Sequence, residues 1–236
     1  MKKGKSSTIN LPYDTREFFP PEYEIVSKRD ILIRNNLWGE IKEKTFVETG
    51  TFFGHGVTAA IWNGCTDIHS IEINPYYFTQ ACFRLMALAM YNRDRATSEI
   101  YNEESFFSVV FGGGLRVSLY RGDTVDILPV VLSRVSEPAF LWLDAHWSGD
   151  ATLIEGVLDE NSPPEVKCPI IKELSIIKKH AIKNHTIAID DYRQVCESAG
   201  SFDNIKKEIL KINSEYSVRT KDKPSDDDKI IIAETN

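Results

Sequence analysis

Acidic residues recur at one kind of place in this 236-residue chain: each short apolar run in its middle ends at, or just before, a carboxylate. Glu48 follows Thr45–Val47, Glu72 follows Asp67–Ile71 and Asp123 follows Leu115–Tyr120. Asp144 follows Ala139–Leu143, and the pair Asp190–Asp191 follows Thr186–Ile189. A carboxylate in a shared cleft can accept from a hydroxyl, attract a cation, bind a metal ion or take a proton. Any one of these acids alone reads equally well as the N-cap of the next helix. A set of five at one edge is poorly explained that way.

The first acid opens the loop Glu48-Thr49-Gly50-Thr51-Phe52-Phe53-Gly54-His55-Gly56. The loop lacks the G-x-G-x-x-G of dinucleotide sites and the Gly-Lys-Ser/Thr of P-loops. A carboxylate here would repel a pyrophosphate at the helix N-terminus and attract a cation, such as the ammonium and sulfonium of S-adenosylmethionine. Glu72 stands where an acid accepts both hydroxyls of a ribose. Asp123, after Gly122, is placed to accept from an adenine amine.

Asp144, Asp190 and Asp191 would end neighbouring strands ~4.8 Å apart, so their charges converge. Unpaired, they would repel one another and hold raised pKa values, and the flanking segments offer only Arg193 as a nearby cation. A hard divalent ion with oxygen ligands, such as Mg²⁺, is one economical answer. The other is a metal-free site in which Asp144 or His146 acts directly as base. His146, two residues past Asp144, titrates near neutrality and suits removal of a hydroxyl proton. His55 opens the first crossover helix and is placed to touch a cofactor carboxylate.

These residues need a scaffold that brings strand ends together. From Thr45 onward the apolar runs alternate with stretches of helical spacing, Tyr76–Asn92, Val125–Leu132, Pro169–Lys183 and Asn204–Ile212. Such alternation implies βαβ units and a parallel sheet covered on both faces, with ligands outside the carboxyl ends of its strands. Tyr216–Thr220 and Lys229–Ala233 lie too close together for a parallel crossover, so they should form an antiparallel hairpin. Residues 1–44 read as an arm, with a helix through Asp30–Lys44, packing on a domain of residues 45–236. The long connection Ala145–Cys168 has the place of a lid or specificity element.

In this order, Glu48-x-Gly50-Thr51-x-x-Gly54, Ser70-Ile71-Glu72, Gly122-Asp123, Leu143-Asp144-Ala145-His146 and Ile189-Asp190-Asp191 resemble class I S-adenosylmethionine-dependent methyltransferases. The likeness is strongest to small bacterial members that methylate sugars in surface-polysaccharide (capsule) biosynthesis. It implies an α/β, Rossmann-like, seven-stranded mostly parallel sheet of order 3-2-1-4-5-7-6. It also implies S-adenosylmethionine as cofactor, held by Glu48, Thr49, Gly50, Thr51, Gly54, His55, Glu72, Asp123 and Asp144. Divalent-ion ligands would be Asp144, Asp190 and Asp191, with catalysis by Asp144 and His146. Phe52 departs from the pattern, standing where many members carry a glycine. The expected reaction is methyl transfer to a hydroxyl of a sugar-type small molecule. A metal-free N-methyltransferase and a non-catalytic cofactor-binding protein are the alternatives.

Charge and cysteines narrow the partners. With 28 Lys+Arg against 35 Asp+Glu the net charge is −7, which argues against a nucleic-acid backbone as partner. No apolar stretch is long enough to span a bilayer, and the basic Met1–Ser7 is not followed by the apolar core of a secretory leader. Cys65, Cys82, Cys168 and Cys196 are scattered, as in a reduced cytoplasmic protein. The aromatic N-terminal arm could close the site or make a homodimer contact.

Overall fold

The computed structural model describes residues 37–91, 100–103, 105–149, 153–154, 157–223 and 227–235. Among these, nine strands form one sheet. They are β1 (Thr45–Thr49), β2 (Asp67–Glu72), β3 (Ile100–Glu103), β4 (Phe106–Val110), β5 (Arg116–Arg121), β6 (Ala139–Leu143), β7 (Thr186–Ile189), β8 (Tyr216–Asp222) and β9 (Lys229–Thr235). The helices are α1 (His55–Trp62), α2 (Pro75–Tyr91), α3 (Thr124–Leu132), α4 (Pro164–Lys167), α5 (Ile170–Lys179), α6 (Tyr192–Ala199) and α7 (Phe202–Leu210).

The strand order is β3-β4-β5-β2-β1-β6-β7-β9-β8. From β5 onward this is the expected 3-2-1-4-5-7-6 order of the Rossmann-like methyltransferase fold, with β9 antiparallel to both β7 and β8. The antiparallel strands β3 and β4 extend the β5 edge and make the sheet larger than expected. Strand β4 is not among the expected strands, although Phe106-Phe107-Ser108-Val109-Val110 is a short, mostly apolar run of the kind that suits a strand.

Strand alternation divides the core in two. Phe46, Ile68, Leu119, Phe140 and Trp142 face α1 and α2, while Val47, Ile71, Leu141, Leu143 and Ile189 face α3, α5, α6 and α7. The expected helix through Lys44 is not formed over its described part: Leu37 and Trp38 are helical, but Gly39–Lys44 is not. Gly39 adopts a positive φ of 77°, which breaks the helix there. The segment is anchored instead by Trp38, whose ring lies 5.1–5.7 Å from those of Phe46, Phe140 and Trp142. Such aromatic pairs are worth about 0.5–1.5 kcal/mol each beyond their buried area. The rest of the arm, with Tyr13 and Phe18, lies outside the described residues.

Register aligns the chemistry. Thr49 pairs with Ile71 on one side and Leu143 on the other, and Leu143 pairs with Ile189. The next residues, Gly50, Glu72, Asp144 and Asp190, therefore emerge at one level of one rim.

Candidate active site

A cleft of about 440 Å³ lies on that rim. Five carboxylates line it: Glu72 and Asp123 from the β2–β5 side, Asp144 and Asp190 from the β6–β7 side, and Glu165 of α4. Gly50, between the two sides, also lines it, as do His146 and the apolar residues Phe52, Tyr77, Val157, Leu158 and Pro169. Val157 and Leu158 belong to the long β6–α4 connection, so described residues of that connection form part of the cleft wall. Trp147 N–H donates to Lys167 O at 2.7 Å and Gln194 Nε2 to Trp147 O at 3.0 Å, tying that connection down.

Glu72 is 6% exposed, and its position is fixed by backbone donors. Phe52 N–H donates to Oε2 at 2.7 Å and Asn74 N–H to Oε1 at 2.8 Å. Burial raises its pKa, with these donors opposing the rise. Each oxygen keeps a lone pair for a ligand hydroxyl. Asp123 combines both readings made of it: Oδ1 caps α3 by accepting from Val125 N–H at 2.8 Å, and the residue still lines the cleft.

The first loop divides differently from expectation. Gly50 approaches β6 so closely that a Cβ there would lie 2.5 Å from Asp144 O. Glu48 turns away from the cleft and is 1% exposed. Ser70 Oγ donates to its Oε2 at 2.7 Å, and Ser70 in turn pairs with Thr51 Oγ1 at 2.5 Å. Its other oxygen lies over Gly56, where a Cβ would sit only 1.7 Å away. Glu48 is thus held under the N-terminal turn of α1, packed against Gly56 and hydrogen-bonded by Ser70. Thr49, Thr51, Gly54 and His55 likewise do not line the cleft. Thr49 Oγ1 instead accepts from Asp144 N–H at 3.2 Å, and Gly54 caps α1 with φ 78°.

The β6–β7 end gathers Asp144, His146, Asp190 and Asp191 as expected, but with a different charge balance. Trp142 Nε1 donates to Asp144 Oδ2 at 3.1 Å. His146 lies between two acids, with Nδ1 3.3 Å from Asp144 Oδ1 and Nε2 2.5 Å from Asp191 Oδ2. Burial disfavours its charge, but the hydrogen bonds and charges of Asp144 and Asp191 prevail and hold its pKa up at about 10. The ring is therefore an imidazolium at neutral pH, and the role of free base expected of His146 does not suit this arrangement.

Lys223, from the β8–β9 turn, brings a second cation. Its Nζ lies 2.5 Å from Asp190 Oδ1 and 2.5 Å from Asp191 Oδ1. Burial and the Asp144 charge still raise Asp190 to about 6 against the pull of Lys223. Burial also opposes the charge of Asp191, yet His146 and Lys223 drive its pKa well below the carboxylate range. Asp191 adopts a left-handed conformation, φ 49° and ψ 62°, uncommon for a residue with a side chain.

A divalent ion needs several oxygen lone pairs turned towards one point. Here the inner oxygens of Asp190 and Asp191 turn towards an ammonium, and Asp144 towards an imidazolium. Among the described residues no group of three acidic, His or Cys side chains is arranged to hold a metal ion. The residues as placed do not fit the Mg²⁺ site expected at Asp144, Asp190 and Asp191.

Two functional candidates escaped the sequence reading. Lys223 left no local signal, being one lysine in a polar turn far from the acids. Glu173 left one: with Ile170, Leu174 and Ile177 it falls on the buried face of α5 at helical spacing. It is 1% exposed beneath the cleft, and its Oε1 has no hydrogen-bond partner. Burial raises its pKa to about 7, opposed by the Thr124 and Thr49 hydroxyls and assisted by the charges of Asp123 and Asp144.

No protein-family model matches the chain, and no curated protein matches it. Solved structures resemble it at low identity. The O-methyltransferase TomG from Streptomyces achromogenes, involved in tomaymycin synthesis and solved with SAM, aligns with a TM-score of 0.49 and 16% identity over 94% of this chain and 86% of its own. The O-methyltransferase from Bacillus cereus, in complex with SAH, aligns with a TM-score of 0.49 and 13% identity over 96% of both chains. A putative O-methyltransferase from Klebsiella pneumoniae gives 0.44 and 14% over 89% and 90%. Likenesses this distant transfer no residue roles.

Proposed function

We propose that this chain is an S-adenosylmethionine-dependent methyltransferase that acts on a hydroxyl of a small polar acceptor of sugar type, such as an intermediate of polysaccharide biosynthesis. The observation that carries this reading is one cleft with two chemically distinct ends. Glu72 and Asp123 form a hydrogen-bond-accepting end suited to a ribose diol and an adenine amine. Asp144 and Asp190 form an anionic end suited to a cationic methyl donor and an acidifying hydroxyl. The bound cofactor supplies a methyl group already activated on sulfur.

The protein's tasks are then to align the acceptor oxygen, exclude water and take one proton. Asp144 is the leading proton acceptor, because it lines the cleft and its orientation is set by Trp142 and His146. His146 keeps its own proton and stabilises the two carboxylates it bridges. Val157 and Leu158 add apolar surface to the wall of the cleft. Free thiols at all four cysteines suit a reducing compartment, and among the described residues no helix is long and apolar enough to cross a membrane.

Calorimetric titration with S-adenosylhomocysteine tests the cofactor assignment. The wild type should bind, and Glu72→Gln should bind about 10- to 100-fold more weakly, the range for losing hydrogen bonds to a charged group. Absence of wild-type binding, or equal affinity in the variant, would sink the assignment. Transfer of labelled methyl to free and nucleotide-linked sugars then identifies the acceptor.

A further inference from the structure

We infer that Lys223 is the resident cation of the acidic site, its ammonium standing between Asp190 and Asp191 where a divalent ion would otherwise be needed. Three carboxylates on two neighbouring strand ends face the side chains of Lys223 and His146, and the Lys223 ammonium stands 2.5 Å from an oxygen of both Asp190 and Asp191. Lys223 is built into that place. Its side chain is 9% exposed, and its backbone N–H donates to Asp228 O at 2.9 Å. Asp228 is itself held at the start of α6 by Arg193, whose N–H donates to Oδ1 at 3.3 Å. Lys223 and Asp228 are thus clamped together over the N-terminus of α6, with the lysine directed at the acids.

The same contacts make Lys223 a positioning residue. Asp191 reaches His146 with Oδ2 and Lys223 with Oδ1, so its carboxylate is fixed at both oxygens. Its own N–H donates to Asp190 Oδ1 at 2.8 Å, which couples the pair through the backbone. Removing the ammonium would leave two adjacent carboxylates with oxygens converging on an empty point. Such a pair lowers its repulsion by binding a hard cation. Replacing lysine by a neutral residue of similar length should therefore create a metal site that the native chain lacks.

Mn²⁺ alone is the probe, read by electron paramagnetic resonance on the full chain without cofactor or acceptor. The wild type should show no saturable binding. Lys223→Met should gain saturable Mn²⁺ binding, and Asp190→Asn on that background should abolish the gain. Lys223→Arg, which keeps the charge, should resemble the wild type. If Lys223→Met proves unstable, restoration of its melting temperature by Mn²⁺ but not by Na⁺ supports the same conclusion. Saturable wild-type binding lost in Asp190→Asn would overturn the inference, as would a Lys223→Met protein that Mn²⁺ neither binds nor stabilises. The inference concerns the site of the proposed methyl transfer but does not depend on that reaction. Its readout is metal binding, so it can fail while S-adenosylhomocysteine still binds, and the reverse.

Discussion

Phe52 shows what one residue costs and gains at this site. Its φ of 49° lies in the left-handed region, where glycine is at ease and an aromatic residue is strained. Two things hold it there. Its N–H is a donor to Glu72, and its ring sits 4.5 Å from Phe53 and 4.3 Å from Tyr77. The strain and the ring contacts can be separated by two substitutions. Phe52→Ala removes the ring and keeps the strain, whereas Phe52→Gly removes both. The glycine variant should therefore be the more stable of the two by about 1 kcal/mol, measured by urea unfolding. Equal stability would mean that the backbone relaxes once the ring is gone. The sequence marked this position only as a departure from the glycine of related loops. The compensation is visible once Tyr77, 25 residues away on α2, is in place beside it.

At the scale of elements, the rim opposite the cleft is pinned by a buried histidine. His185 is fully buried just before β7, and its Nδ1 accepts from Ala139 N–H at the start of β6 at 3.0 Å. Its Nε2 faces His180 Nδ1 at 2.8 Å, and its backbone oxygen accepts from Tyr216 of β8 at 2.7 Å. One residue thus ties together three strands and the end of α5, and it must be neutral to accept at Nδ1. Burial, then the nearby His180 and Lys183 charges, lower its pKa to about 4. A histidine depressed in the folded state stabilises the fold above its unfolded pKa near 6.5 and loses that contribution as pH falls towards 4. Up to about 3 kcal/mol should disappear across this window. In His185→Asn, whose amide oxygen can accept from the same N–H, the loss should be much smaller. Urea midpoints at pH 7 and 4.5 decide this, and an unchanged slope in the variant would assign the acid lability elsewhere. The strands tied here were readable as apolar runs, and β6 and β7 fall within the residues expected. The cross-links were not readable, because His180 and His185 gain their meaning from β6 and β8, distant in sequence.

Over the whole molecule, the cleft is the seam between a half built on β1, β2 and β5 and a half built on β6, β7 and β9. The acids at the strand ends were legible because each follows an apolar run by one to three residues, and parallel register brings such positions to one rim. Their partners were not, since a charge balance depends on which distant groups fold against it: Lys223 arrives from the last hairpin, and Glu48 is claimed by α1. Glu173 lies where the two halves meet, below Thr49 of β1 and Thr124 of α3, with no full set of partners. Its raised pKa of about 7 means that the folded chain binds this proton more tightly than the unfolded chain does. Stability from the protonated carboxyl is complete below the unfolded value near 4.5 and is lost as pH rises through 7. The loss should reach about 3 kcal/mol at alkaline pH. Glu173→Gln keeps the shape and removes the titration, so it should be more stable than the wild type at pH 8 and no more stable at pH 4.5. Thermal melts of both proteins at the two pH values measure the difference. A constant offset between them would show that Glu173 ionises without penalty, and that the seam beneath the cleft is wetter than its 1% exposure implies.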